Sequence, residues 1–197
     1  MIATATVRGG IVGLAALLVA GCGGDTGIDE EARASAGREV VKEFATELRG
    51  ELQAAMKAGG PPAAIAVCRE AAPAIAAGLS EREGWRVART SQRVRNPANA
   101  PDAYEAEVLA RFIAAREAGE SPAGLEAFGV VEMPDGTRAF RYMKAIPTDG
   151  PCLACHGSTL APEVADALAE VYPQDRATGF AEGDIRGAFT IVQPLDG

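Results

Sequence analysis

The order of the predicted elements indicates an α+β fold, because two helices come first and two of the strands form a hairpin. Apolar residues recur at three- and four-residue steps over two long N-terminal stretches, which is typical of amphipathic helices. Shorter apolar runs bounded by glycine, proline and asparagine follow, and two of them flank the turn tripeptide Pro134-Asp135-Gly136. We therefore expect two helices, a strand, a helix, a hairpin, a loop, a helix and a last strand.

The first predicted helix runs from Glu30 to about Lys57, and glycines and prolines at 59–62 end it. The second runs from about Pro62 to Leu79, and Pro73 inside it should kink or split it. Cys68 lies on the apolar line of this helix, so we expect it to face inward. The apolar line consists of Ile65, Cys68, Ala72, Ile75 and Leu79.

The later elements follow from local patterns of apolar residues and turn residues. The predicted ranges are a strand from 85, a loop at 96–101, a helix at 102–118, strands at 127–133 and 137–146, a helix at 162–172 and a strand at 186–192.

The pentapeptide Cys152-Leu153-Ala154-Cys155-His156 lies between the hairpin and the last helix. Two cysteines separated by two residues and followed by histidine form the attachment site of a c-type haem. Each thiol adds to one vinyl group of the haem, and Nε2 of the histidine can then bind the iron. We therefore predict one covalent haem c, held by Cys152, Cys155 and His156.

Two other interpretations of the cysteine pair are a thioredoxin-like redox pair and half of a zinc site. A redox pair should close a strand and open a helix in a βαβ unit, whereas Pro151 and Gly157 indicate a loop. A zinc site would need Cys68, and it would need the adjacent Cys155 and His156 to converge on one metal. Haem attachment is the stronger prediction.

The second axial ligand of the iron cannot be a histidine of the same chain, because His156 is the only one. Methionine is the commonest partner in electron-carrying cytochromes c. The candidates are Cys68, Met56, Met133 and Met143, besides an open or lysine-ligated site. A buried free cysteine is an ordinary core residue, so periodicity alone leaves this choice open.

Arginines are concentrated around the first predicted strand, at Arg86, Arg89, Arg93 and Arg95. Guanidinium groups make paired hydrogen bonds to carboxylates, so these residues could bind the haem propionates, and Arg89 and Arg93 are our candidates. Solvated charges on a strand face are an equally good explanation, since most arginines are exposed.

The first 21 residues have the pattern of an export signal. An apolar run of ten residues from Ile11 to Ala20 is too short to span a bilayer and suits a signal peptide. The run ends in Leu18-Val19-Ala20-Gly21-Cys22, which resembles the bacterial lipobox, so Cys22 is the predicted lipidation site; an ordinary secretory signal is the alternative. Residues 22–29 would form a tether and residues 30–197 one domain.

Export agrees with haem attachment, because bacterial c-type cytochromes are assembled outside the cytoplasm. We expect the protein on the periplasmic side of a membrane, with the outer membrane favoured because Gly23 rather than aspartate follows Cys22. The chain has 19 Lys and Arg against 27 Asp and Glu, so nucleic acid is not an expected partner. Its acidic balance suits docking with a basic redox or signalling protein.

Several stretches of the chain form an ordered set of motifs over about residues 38–192. They are Ala66-Val67-Cys68-Arg69-Glu70, Arg95-Asn96-Pro97-Ala98-Asn99, Tyr172-Pro173-Gln174-Asp175, Gly183-Asp184-Ile185-Arg186-Gly187, residues 84–91, 141–146 and 152–157, and Gly179. Together they resemble a bacterial family of extracytoplasmic haem-binding domains, catalogued as a domain of unknown function. The resemblance implies a PAS-like antiparallel sheet behind N-terminal helices, and a c-type haem with His156 and Cys68 as axial ligands. Relatives occur alone or as sensors of kinases and chemoreceptors.

Two functions are compatible with these features. The first is a lipid-tethered carrier that passes single electrons between partner proteins. The second is a sensor of redox state or of a diatomic gas that signals through a separate partner. A peroxidase would need a distal acid–base group, and His156 is the only histidine; we therefore expect no enzyme activity.

Overall fold

The computed structural model describes residues 27–195, so the predicted signal peptide and Cys22 lie outside the described residues. Long N-terminal helices precede a four-stranded antiparallel sheet, which confirms the predicted α+β fold. The helices are α1 (Glu30–Arg69), α2 (Ala71–Glu83), α3 (Ala103–Glu117), α4 (Leu153–His156) and α5 (Pro162–Val171), and the strands are β1 (Arg86–Thr90), β2 (Glu126–Glu132), β3 (Arg138–Pro147) and β4 (Ile185–Pro194).

The first helix begins at the N-cap Asp29, whose carboxylate accepts a hydrogen bond from the Ala32 amide at 2.9 Å. It continues through the predicted stop, where Gly59 and Gly60 leave the helical region and Gly60 has a φ of 68°. The stop is therefore a kink, because glycine adopts positive φ without strain. The second interruption falls at Glu70, so that Pro73 lies in the first turn of α2, where proline is tolerated.

The strand order is β1-β4-β3-β2, with β4 and β3 in the centre. Successive side chains of a strand point to opposite faces of a sheet. Phe140 and Tyr142 of β3 pack with Phe44 of α1 on one face, whereas Met143 and Ala145 pack with α3 on the other. A third cluster joins α5 to the kinked end of α1 and contains Ile65, Val164, Leu168 and Tyr172.

A buried ionic network lies between the sheet and α3. Glu105, which is 1% exposed, accepts hydrogen bonds from Arg141 at 3.0 Å and from the Thr190 hydroxyl at 2.9 Å. Asp102 caps α3 through a capping box with Glu105 and also pairs with Arg141 at 2.7 Å. Arg86 contacts Glu105 at 3.3 Å, so it belongs to this face and not to a propionate site.

Among the described residues, the stretch Glu30–Glu83 is long and apolar enough to cross a membrane by length and composition alone. The core helix of a globular protein passes the same test. Ile65, Ala72, Ile75 and Leu79 of this stretch are buried within the fold, which is the behaviour of core helices.

Replacing Glu105 by alanine should lower the free energy of unfolding by about 3–5 kcal/mol, because it removes the buried carboxylate partner of Arg141 and leaves that charge with the more exposed Asp102 alone. Urea denaturation at neutral pH measures the change. Glu107→Ala, on an exposed position of the same helix, is the matched control and should cost at most about 0.5 kcal/mol. Equal losses in the two variants would show that the network contributes no special stability.

Candidate functional site

The cysteine–histidine motif adopts a short helical turn in place of the expected loop. A 3₁₀ turn at Gly150–Cys152 leads directly into α4, and hydrogen bonds from the Cys152 amide to Asp149 and from the Gly157 amide to Leu153, both 2.9 Å, close the two ends. Residues three apart lie on the same side of a helical turn. Cys152 and Cys155 therefore face one direction, as attachment to one cofactor requires.

Hydrogen bonding fixes the tautomer of His156. Its Nδ1 lies 2.7 Å from the carbonyl oxygen of Ala177. A carbonyl can only accept, so Nδ1 carries the proton and Nε2 is left with a free lone pair, the arrangement found in metal-binding histidines. Burial, together with the charges of Arg186 and Arg95, lowers the pKa of His156 to about 2. The ring is therefore neutral at physiological pH.

The loop at residues 175–180 holds the motif in place. Backbone amides of Phe180 and Gly179 donate to the carbonyls of His156 and Gly157 at 2.9 and 2.8 Å. Arg95 pairs with Asp175 at 2.9 Å and donates to the Cys155 carbonyl at 2.5 Å. Arg95, one of the sequence candidates for propionate binding, is instead a structural clamp whose carboxylate partner is already present.

A pocket beside the motif brings His156 together with Cys68 from the last turn of α1. Its cavity volume is about 70 Å³, and the open depression around it brings the empty space to about 560 Å³. Cys68, Cys152 and Cys155 are partly buried free thiols. Residues that line the pocket include Cys68, Arg89, Arg93, His156, Tyr172 and Arg186.

The arginines of the pocket differ in their surroundings. The Arg93 guanidinium lies 4.0 Å from the centre of the Phe180 ring, and its Nε donates to the Arg176 carbonyl at 3.4 Å. Arg89 lies 5.7 Å from the centre of the Phe44 ring, and burial lowers its pKa. Burial also lowers the pKa of Arg186, whose Nε is buried without a hydrogen-bond partner among residues 27–195.

Residues 28–194 match the Tll0287-like family. The chain belongs to the Tll0287-like family. The crystal structure of the cyanobacterial haem-protein Tll0287 is similar to this chain, with a TM-score of 0.63 and 20% identity, over 86% of this chain and 98% of that one. At this identity the match shows a shared fold. No curated protein matches the chain.

In this Tll0287-like domain, the positions of the three candidate methionines argue against them as axial ligands. Met143 is fully buried against α3, on the face of the sheet opposite the pocket. Met133 lies at the β2–β3 turn, at the end of β3 remote from the motif. Met56 is 42% exposed on α1 and does not line the pocket. Cys68 is the sequence candidate that shares a pocket with His156.

The alternative interpretations of the cysteine pair find little support in the geometry. Burial raises the pKa of Cys155, whereas the attacking thiol of a redox pair needs a lowered pKa. The motif also follows a strand of an antiparallel sheet and opens a helix of four residues. Within residues 27–195, no group of three or more His, Cys, Asp or Glu side chains is placed to hold a metal ion.

Sequence reasoning missed Arg186 as a site residue. A register shift between Ile146 and Pro147 interrupts the pairing of β3 with β4, and as a result Ile185 packs towards α3 while Arg186 lines the pocket. Gly187 allows this close approach, because a Cβ there would overlap the Thr90 carbonyl oxygen. The sequence feature that could have identified Arg186 is the stretch from Gly183 to Gly187, which is one of the stretches that carry the family resemblance.

His156 should stay neutral and in the Nδ1–H form in folded, cofactor-free protein between about pH 8 and pH 5. Its folded pKa lies below the ordinary value of about 6.5, so the unfolded state binds the proton first and stability falls as pH drops below about 6.5, by up to about 1.4 kcal/mol per pH unit. Proton and nitrogen NMR of the single histidine reports both tautomer and titration. A ring that titrates near 6.5 would contradict this geometry.

Proposed function

We propose that this protein binds one haem c covalently through Cys152 and Cys155, with His156 and Cys68 as the axial ligands of the iron. The observation that most supports the proposal is the neutral His156, with Nε2 free, in a pocket that Cys68 also lines. The similar cyanobacterial protein Tll0287 is a haem-protein, which agrees with this assignment.

The residues in and beside the pocket provide the donors that a haem needs. The imidazole of His156 and the thiol of Cys68 line the pocket and are available for the iron, and guanidinium groups that line it are available for carboxylates. Cys152 and Cys155 do not line the pocket, but they are free thiols in the same short motif as His156 and are available for thioether bonds. The enclosed cavity of about 70 Å³ is small for such a ligand, since cofactor pockets usually measure roughly 300–1,000 Å³. Side chains that line the pocket must therefore move outward as the site fills.

We propose electron transfer as the role of the site, without enzymatic turnover. Haem c supplies one-electron redox chemistry when it is bound. Cys68 contributes an anionic thiolate, because coordination to a metal deprotonates a thiol. A negative ligand stabilises the more positive, oxidised state, so Cys68 should lower the midpoint potential.

A second candidate function is a haem-based sensor of redox state or of a diatomic gas. Cys68 lies in the last turn of α1, two residues before the break at Glu70 that separates α1 from α2. Release of Cys68 would therefore act directly on the junction between the two N-terminal helices. Uptake of carbon monoxide by the reduced protein, with a change in helix packing, would favour this role over the carrier role.

We also propose that a lipid on Cys22 holds the domain on the periplasmic side of a bacterial membrane, the outer membrane in preference to the inner. Residues 1–21 would be the signal peptide and residues 22–29 the tether. The partner of the domain would be a redox or signalling protein, and not nucleic acid. Support for this part comes from the sequence pattern and from the need of c-type haem proteins for export.

Replacing both Cys152 and Cys155 by alanine should abolish covalent haem, because no thiol is then left in the motif. Wild type co-expressed with cytochrome c maturation machinery should give a haem-stained band on a denaturing gel. Cys68→Ala is the matched control and should keep the stain, because Cys68 is not a thioether site. A stained double variant, or an unstained wild type that carries stoichiometric zinc, would refute haem attachment.

Cys68→Ala should convert a low-spin ferric spectrum into a high-spin or water-ligated one and raise the midpoint potential, because the anionic ligand is gone. Electron paramagnetic resonance and potentiometry measure the two effects. Met143→Leu, which keeps the volume of a buried residue on the opposite face of the sheet, should leave both unchanged. If Cys68→Ala left the spectrum and the midpoint potential unchanged while Met143→Leu changed both, the second axial ligand would be Met143.

Cys22→Ala should leave the precursor unprocessed by the lipoprotein peptidase or release a soluble form into the periplasm. Membrane fractionation and the intact mass of the mature protein test this, with Cys68→Ala as a control that should fractionate like wild type. A wild type that is soluble and has no acyl mass would show that the leader is an ordinary secretory signal.

A further inference from the structure

Three of the four arginines that line the pocket, Arg89, Arg93 and Arg186, form no ion pair within residues 27–195, and all three are partly buried. Arg93 is held by another contact, because its Nε donates to the Arg176 carbonyl at 3.4 Å, so Arg89 and Arg186 are the two to be explained. Two other arginines with restricted access to water have carboxylate partners: Arg95 pairs with Asp175, and the buried Arg141 pairs with Asp102 and Glu105. The chain has a formal net charge of −8, yet no Asp or Glu is among the described residues that line the pocket, and Asp149, whose charge acts on Arg186, forms no ion pair with it.

Two unpaired, partly buried guanidinium groups destabilise the fold when the pocket holds no ligand. Burial, and after it the charge of Arg186, lowers the pKa of Arg89, as expected for a cation that has restricted access to water and a second cation nearby. The buried Arg186 Nε has no hydrogen-bond acceptor among the described residues, and an unsatisfied buried donor destabilises a fold. Both costs disappear if a ligand brings negative oxygen atoms between the two guanidinium groups.

We propose that Arg89 and Arg186 bind the two propionate carboxylates of the haem. This assignment rests on the proposed function. It replaces the pairing of Arg89 with Arg93 that the sequence suggested, because Arg93 stacks on Phe180 and its Nε donates to the Arg176 carbonyl. Arg93 thereby braces the loop that holds His156.

The position of Arg186 agrees with this role. Arg186 lines the same pocket as Cys68 and His156, the two residues proposed to bind the iron. Ser91, the residue after β1, holds the backbone of Arg186, since its hydroxyl donates to the Arg186 carbonyl at 2.7 Å. A change of the Arg186 side chain therefore leaves this backbone contact in place.

The test uses the full chain with Cys152→Ala and Cys155→Ala, in which haem enters without covalent bonds. The chain is titrated with haemin and with haemin dimethyl ester, whose carboxylates carry no charge, and binding is followed in the Soret band. Haemin should bind about 10- to 100-fold more tightly than its ester, the difference expected for charge-assisted hydrogen bonds. Arg186→Gln and Arg89→Gln should each reduce this preference about tenfold or more, whereas Arg186→Lys should retain part of it.

Arg93→Gln is the comparison variant, and its preference for haemin over the ester should match that of the parent. Equal binding of haemin and ester by the parent, or loss of the preference in Arg93→Gln alone, would overturn the assignment while leaving haem binding intact. Binding of neither ligand by a chain with a native circular dichroism spectrum would refute the proposed haem site and this assignment with it.

If the double alanine chain does not fold, the covalently loaded protein gives a second measurement. Nearby guanidinium groups hold the pKa of carboxyl groups low, so the midpoint potential should be independent of pH between about 5 and 8. Arg186→Gln should introduce a pH-dependent slope in that range, and Arg186→Lys should not. A flat profile in Arg186→Gln would contradict the assignment.

Discussion

The hydrogen bond between His156 Nδ1 and the Ala177 carbonyl is the contact on which the site depends. It selects the tautomer, orients the ring and leaves Nε2 as the nitrogen that can bind a metal. The loop that supplies the carbonyl is held in turn by Arg95, Asp175 and two backbone hydrogen bonds to the motif. Residues twenty or more positions away thus determine what a five-residue motif can bind.

The sheet separates two kinds of charge. On the α3 face, Arg141 donates hydrogen bonds to Asp102 and Glu105, and Thr190 donates to the same Glu105. The charge of Arg141 is therefore neutralised within the protein. On the pocket face, Arg89 and Arg186 have no such carboxylates among the described residues. The contrast between a closed ionic network on one face and unpaired arginines on the other is the basis for proposing that the pocket binds an anionic group.

Local patterns were sufficient for much of this structure. Helical periodicity and turn residues predicted the elements from β1 onward to within a few residues, and the Cys-x-x-Cys-His spacing located the motif, because both depend on neighbours in sequence. The division between the first two helices was wrong, since α1 continues to Arg69 and α2 begins at Ala71. The helical turn at the motif, the clamp by Arg95 and the exposure of Arg186 to the pocket were not predictable in this way. They depend on Asp175, 80 residues from Arg95, and on the register shift at Ile146 and Pro147. Alternation along β3 separates Met143 from Tyr142, but only the packed helices show which face holds the pocket.

The proposed site requires that Cys152 and Cys155 form covalent thioether bonds to a haem and that Cys68 forms none. Mass spectrometry of proteolytic peptides from protein matured in the periplasm tests it most directly. The account predicts that the peptide with residues 152–156 gains the mass of one intact haem, while the peptide with Cys68 is unmodified. A motif peptide lighter by two hydrogens, with a Cys152–Cys155 disulfide and no haem in protein made with active maturation machinery, would contradict the account and indicate a redox pair.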